Sequence, residues 1–242
     1  MTETIGGVEL ACEDCMKLMA RYPDKHFDLA ITDPPYGGGN HETLNYKCPM
    51  KFGERFKKYK EFKKKRSSIR TGGGWSNKYG DGINGWDKAP PPEYFQELFR
   101  VSEYQIIWGG NYFGLPASRN FIVWRKKTIS ENFSMAMAEL AWTNIKGNAK
   151  VFEYQPQDLD RFHPTQKPIA LYKWLLLNYA KPGMKILDTH FGSGTSAVAC
   201  LDMGYSLTAC EIDKDYFEAA VKRLRLFAAQ GTFGFGGQNE NA

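Results

Sequence analysis

The fold turns on Met184-Lys185-Ile186-Leu187-Asp188 and the residues after it, Thr189-His190-Phe191-Gly192-Ser193-Gly194-Thr195. The apolar run 184–188 predicts a strand, and Ser196 to Met203 predicts a helix rich in small residues. Ser206 to Cys210 predicts a second strand, ending in Glu211. Gly192 and Gly194 let the backbone approach a ligand closely, and the helix start behind them favours anionic groups. An acid at the end of the next strand is placed to accept from ribose hydroxyls. Gly192, Gly194 and Ala197 also satisfy G-x-G-x-x-A, so an NAD-type domain is an alternative. That fold needs two βαβαβ halves, with the glycine loop after the first strand. Only 54 residues follow Asp188, enough for about one more strand and one helix. The other strands must precede the loop, which predicts a permuted α/β nucleoside-binding sheet.

Asp33-Pro34-Pro35-Tyr36 closes an earlier strand-like run, Phe27 to Thr32. Two prolines stiffen the chain where the strand stops and leave their carbonyls free to accept hydrogen bonds. Pro34 pushes Asp33 into an extended conformation that aims its carboxylate outward. Tyr36 adds a flat face. An acid, a free carbonyl and a ring suit a planar group with an exocyclic amine, such as a base swung out of a duplex. The plainer reading of the tetrapeptide is a strand-ending turn.

Between the two lies His163-Pro164-Thr165-Gln166-Lys167-Pro168, leading into a helix from Ile169 to Leu177. Thr165 is the expected cap, with Pro168 near the first turn. Lys167 is close enough to a helix start to meet a carboxylate, although position alone does not demand it.

These three pieces, in this order, resemble the β-class of S-adenosylmethionine-dependent DNA amino-methyltransferases, and among them the compact phage- or prophage-type adenine-N6 enzymes. The resemblance runs from about residue 5 to 227. It implies one Rossmann-like domain: a mixed, mostly parallel sheet with helices on both faces and a circularly permuted motif order. It implies that Asp33, Pro34, Pro35 and Tyr36 are catalytic. Asp33 and the Pro34 carbonyl would accept from the two amine hydrogens while Tyr36 stacks on the flipped base. It places S-adenosyl-L-methionine against Asp33, Asp188, Phe191, Gly192, Ser193, Gly194 and Thr195. Glu211 would hold the ribose, Asp14 and Cys15 would close over the adenine, and Thr165 and Lys167 would lie near the methionine end. The chain departs from the family's usual Asp-Pro-Phe by carrying Asp188-Thr189-His190-Phe191, which keeps the carboxylate and the glycines. A cysteine nucleophile for carbon-5 methylation is not expected, because Cys48-Pro49 sits in a Lys-rich segment.

The net charge of +5 over 242 residues is uneven. Residues 47–70 hold eleven Lys or Arg against two Glu, so the remainder is net negative. Phe52, Phe56, Tyr59 and Phe62 recur there at helical spacing, which predicts an amphipathic helix with basic faces. Because it follows the candidate base pocket, phosphate contact is favoured over a solvated surface. The Gly-rich stretch from Thr71 to Trp86 predicts a loop. Residues 1–230 are thus expected to form the methyltransferase domain, with 37–90 as a DNA-contacting insertion and 231–242 as a flexible tail.

The middle of the chain predicts a helix from Glu93 to Val101 and strands at Gln105–Trp108, Phe121–Trp124, Met137–Thr143 and Lys150–Tyr154. Trp108 to Phe113 fits either the functional edge of the sheet or an ordinary turn. Five cysteines without regular spacing point to a reducing cytoplasm, and Cys12-x-x-Cys15 lacks the second pair a zinc site needs, so no metal is expected. No apolar stretch approaches the length of a membrane span. The expected partner is double-stranded DNA, with no membrane, for a monomer or homodimer. Cytosine-N4 methylation and a DNA-binding module with a degenerate site remain the alternatives.

Overall fold

The computed structural model describes residues 1–37, 88–131, 136–156 and 166–231. The chain divides into two compact units, Met1–Tyr36 with Ala89–Ala242 and Gly37–Lys88; the fold that follows is that of the first. The basic helix and Gly-rich loop predicted over 47–86, the cap Thr165 and the tail 232–242 lie outside the described residues.

Nine strands form one sheet. They are β1 (Thr2–Ile5), β2 (Val8–Cys12), β3 (Phe27–Thr32), β4 (Ser102–Trp108), β5 (Phe121–Lys126), β6 (Ala138–Thr143), β7 (Lys150–Tyr154), β8 (Lys185–Asp188) and β9 (Ser206–Glu211). Their order is β1-β2-β9-β8-β3-β4-β6-β5-β7. The run β2, β9, β8, β3 and β4 is parallel throughout. β6 is antiparallel to β4 and to β5. This is a mixed, mostly parallel α/β sheet of the Rossmann-like kind. Among the described residues no helix is long and apolar enough to cross a membrane.

Alternation along the central strands builds two cores. In β3, Leu29 and Ile31 face one layer while Ala30 faces the other. The first layer holds α3 (Ile169–Tyr179), α4 (Thr195–Met203) and α5 (Lys214–Ala229). The second holds α1 (Cys15–Met19) and α2 (Pro92–Val101). Helices therefore cover both faces, and the central strands read as near-continuous apolar runs because neither face meets water. Leu29 and Leu98 are fully buried, and truncating either to Ala costs about 2–5 kcal/mol.

Among the described residues the predicted elements recur within one or two residues of their expected bounds, except that the strand expected to start at Gln105 starts at Ser102. An N-terminal hairpin was not expected: β1 and β2 pair antiparallel through the tight turn at Gly6, and β2 then adds to β9. At the start of α3 the capping position is Pro168, and no side chain caps the helix. Proline suits a helix start because its missing N–H would have had no intrahelical partner.

Candidate methyl-transfer site

In an open parallel sheet, ligands bind beyond the carboxyl ends of the strands, where the strand order reverses. Here the order reverses between β8 and β3: β9 lies outside β8, and β4 lies outside β3. The carboxyl ends on the two sides carry the predicted residues. Asp33 follows β3, Asp188 ends β8, Glu211 ends β9, and Asp14 and Cys15 follow β2.

The glycine loop is built as expected. Gly192 and Gly194 both have positive φ, at 49° and 75°. A Cβ on Gly194 would press on Ala220 and on the Phe191 ring, at 3.1 and 3.2 Å. The Gly194 N–H donates to the Phe191 carbonyl at 2.8 Å, closing the turn into α4. Ser193 and Thr195 hydroxyls lie 3.0 Å apart, and Arg223 on α5 donates to the Ser193 carbonyl and the Thr195 hydroxyl. Arg223 was not singled out in the sequence. The Phe191 side chain is buried edge-on to Phe217, 6.2 Å between centroids.

Glu211 accepts the Gly192 N–H through one carboxylate oxygen and the Asp213 N–H through the other, each at 3.0 Å. It therefore ties the loop to β9. Burial pushes its carboxyl upward, and the two N–H groups oppose that. Asp14 caps α1 by accepting from the N–H groups of Met16 and Lys17. The Glu13 N–H donates to the Glu211 carbonyl, which brings this segment to the end of β9. Burial pushes the Cys15 thiol up to about 11, with help from Asp14. Asp188 is 1% exposed, accepts from the His190 N–H at 3.1 Å, and burial raises its carboxyl to about 7.

His190 stands where the family pattern has no histidine. Its Nδ1 lies 3.0 Å from the Thr189 hydroxyl. That hydroxyl is 2.6 Å from the Tyr94 hydroxyl and 2.8 Å from that of Thr32. Burial lowers the imidazole to about 4, so it is neutral at ordinary pH. The three hydroxyls form a buried hydrogen-bonded group under the loop.

On the other side of the reversal, Asp33 accepts from the Tyr36 hydroxyl at 2.7 Å and from Lys167 Nζ at 2.5 Å. Lys167 is 4% exposed and also lies 3.0 Å from Glu139 on β6. Burial alone would lower its ammonium, but Asp33 and Glu139 outweigh that and raise it. Burial raises Asp33, opposed by Lys167. The Tyr36 ring stacks on Tyr112, with centroids 5.2 Å apart and planes 25° apart. Gly109, at φ 66°, lies against the same ring. So the stretch Trp108 to Phe113 does form the wall beside Tyr36. The structure brings Asp33, Tyr36 and Lys167 together. It brings Asp188, the glycine loop and Glu211 together on the adjoining strand ends, and Asp33 acts electrostatically on Asp188.

Sequence comparison decides what this arrangement belongs to. Residues 51–222 match the N6/N4 methyltransferase family described as DNA methylase. The chain belongs to this family. It is a DNA methyltransferase of the N6/N4 class. It is 22% identical over 245 residues to the type II methyltransferase M.HinfI of Haemophilus influenzae, covering 88% of this chain and 67% of that one. Its fold is similar to that of M1.HpyAVI in complex with SAM, at TM-score 0.54 and 18% identity, covering 90% of this chain and 98% of the other. It is also similar to the PvuII DNA methyltransferase, a cytosine-N4-specific enzyme, at TM-score 0.53 and 12% identity, covering 97% and 88%. Among the described residues, no group of three or more His, Cys, Asp or Glu is arranged to hold a metal ion. A groove of about 680 Å³ lined by Lys25, Phe99, Arg119, Asn120 and Trp142 carries none of the residues above.

Proposed function

We propose that this DNA methyltransferase transfers a methyl group from S-adenosylmethionine to the N6 amine of adenine, at specific sites in double-stranded DNA. The observation that carries the reading is Asp33. Its carboxylate is held by Tyr36 and Lys167 just beyond β3, beside the crevice of the glycine loop.

The residues of that crevice fit the cofactor. S-adenosylmethionine presents a ribose diol, an ammonium and a sulfonium, and when bound it supplies an electrophilic methyl group. Glu211 suits the diol, since a carboxylate offers about four lone-pair sites and backbone N–H groups of Gly192, Ile212 and Asp213 leave acceptor capacity over. Asp188 suits a cationic neighbour: a positive charge favours its ionised form, which burial otherwise opposes. Asp14 and Cys15 lie by the end of β9 to close over the adenine moiety, while Ser193 and Thr195 shape the loop. Thr165 and Lys167 belong near the methionine end.

Adenine's exocyclic amine is a poor nucleophile because its lone pair is delocalised. Asp33 and the Pro34 carbonyl each accept one amine hydrogen, which favours a pyramidal nitrogen with its lone pair aimed at the methyl group. Pro35 fixes the turn, and Tyr36 stacks on the flipped base. The bound cofactor would supply the methyl group, and the Asp33 carboxylate, which already accepts from Tyr36 and Lys167, would be in reach to take up the proton that the amine gives up. Residues 1–230 act as the catalytic domain, 37–90 as the DNA-contacting insertion and 231–242 as a tail. The protein works in the cytoplasm as a monomer or homodimer.

Mass spectrometry of nucleosides from DNA treated with the protein and labelled S-adenosylmethionine tests this. N6-methyladenine is the expected product. Labelled N4-methylcytosine in its place overturns the adenine assignment, and no labelled base at all overturns the activity.

A further inference from the structure

Lys167 is one member of a longer buried chain of charges. Glu139 bridges two lysines: one carboxylate oxygen lies 3.0 Å from Lys167 Nζ, the other 2.5 Å from Lys126 Nζ. Lys126 is 7% exposed and Glu139 is 23% exposed. With Asp33 the order is anion, cation, anion, cation, and the sum is zero. The backbone puts them there. Glu139 lies on β6 in register with Ala141 and Thr143, which face inward, and Lys126 lies on β5 in register with Ile122 and Trp124. Trp124 pairs directly with Glu139, so Lys126 sits on the diagonal, within reach of a long side chain. The Trp108 ring lies 5.2 Å from Lys167 Nζ and closes the cluster from β4.

Burying four charged groups is costly, and apolar residues of similar volume would stabilise the fold at least as well. A stability role therefore explains the cluster poorly. Its position, ending on the carboxylate that faces the target amine, explains it better.

We propose that Glu139 and Lys126 are positioning residues for methyl transfer, which hold Lys167 at a fixed place beside Asp33 and set the charge around that carboxylate. This rests on the adenine-methylation reading above. Glu139 shares the Lys167 ammonium with Asp33, so that Asp33 keeps acceptor strength for the amine. Lys126 in turn keeps Glu139 from drawing Lys167 away. The other titratable groups facing the cluster are Tyr36 beyond β3 and Tyr172 on α3, both held neutral by burial, and Asp188 at the end of β8.

The test is a set of three variants, read by the pH profile of kcat at saturating DNA and S-adenosylmethionine. Glu139→Gln leaves one anion against two cations. The acid limb of the profile should move to lower pH, and kcat on the plateau should fall roughly tenfold, with KM for DNA unchanged. Lys126→Met leaves two anions against one cation and should move the limb to higher pH. The double variant restores neutrality and should return the limb toward that of the wild type. A structural defect would lower activity or stability in all three without opposite movements. Limbs that stay in place, or move the same way in both single variants, overturn the proposal. The carboxyl carbon of Asp33, followed by NMR during a pH titration, reads the same shifts without catalysis. If wild-type protein does not methylate DNA but this titration moves in opposite directions, the functional reading falls and the charge cluster stands. If methylation is normal and the titration does not move, the cluster falls alone.

Discussion

Replacing Gly109 by Ala should disable the site while every group proposed to do chemistry keeps its identity. Gly109 follows β4 with φ at 66°, a conformation that costs an alanine about 1–2 kcal/mol. A Cβ built there lies 2.5 Å from Cδ1 and 2.7 Å from Cζ of Tyr36. Carbon atoms pack at about 3.5–4.0 Å, so the ring must retreat by about 1 Å or more. Tyr36 donates to Asp33, so the ring cannot retreat without loosening the carboxylate that orients the amine. A misplacement of about 1 Å can cost on the order of a hundredfold in rate. We expect kcat for methyl transfer from tritiated S-adenosylmethionine to fall by that order, while cofactor affinity stays within twofold. The backbone term alone should lower Tm by about 2–8 °C. Gly114→Ala is the control, since a Cβ there meets nothing within 4 Å. If Gly109→Ala is folded and keeps kcat within threefold of wild type, Tyr36 does not position the reacting groups.

Three further outcomes are expected. Asp33→Asn keeps the size of the side chain but removes its charge, and should lower kcat by about 10²–10³ while cofactor still binds in calorimetry; full activity would refute the mechanism. Asp188 is raised to about 7, so a cationic ligand beside it binds best where the acid is ionised. Affinity for S-adenosylmethionine should therefore rise with pH, and fall by roughly thirtyfold between pH 8 and 5.5; a flat profile that also persists in Asp188→Asn removes Asp188 from the cofactor site. Neutralising four lysines within residues 47–70 should weaken binding to all DNA sequences alike and flatten the salt dependence by a slope of about 0.9 per lost contact. An unchanged slope in quantitative DNA-binding assays would leave that segment without phosphate contacts.

The strand, glycine loop, helix and acid around Asp188 to Glu211 were legible in the sequence because each depends on local chemistry: backbone freedom at glycine, a capping turn, an apolar run of fixed length. The same holds for the turn at Asp33. What joins the two halves is not local. Strands β8 and β3 are neighbours, yet some 150 residues separate them, and no periodicity announces which strand ends will meet. The short strands β1 and β2 were missed for a related reason. Their burial pattern is half exposed at the hairpin, so they carry little of the apolar continuity that marked β3 and β8. The motif names Phe191 as part of the loop, and what it does not announce is that the ring packs beneath Gly194 and against Phe217.

Glu139 and Lys126 show where a sequence does hold a signal that is easily passed over. In Phe121 to Lys126 and in Ala138 to Thr143, every second residue faces inward. An acid and a base stand on those inward faces, one in each strand, where apolar side chains would be cheaper to bury. A single charged residue in an inward register is ambiguous, since it can end a strand or reach solvent at an edge. Two of opposite sign, on strands that pair, each require a partner and can supply one another. That leaves Glu139 with one carboxylate oxygen for a further cation, and Lys167 is the cation that the helix start of α3 delivers to it. The lysine has three N–H donors, and the ion pair with Glu139 leaves it needing a further acceptor. Its second bond, to Asp33, is what extends the cluster from the sheet interior to the strand ends where the target amine is proposed to lie.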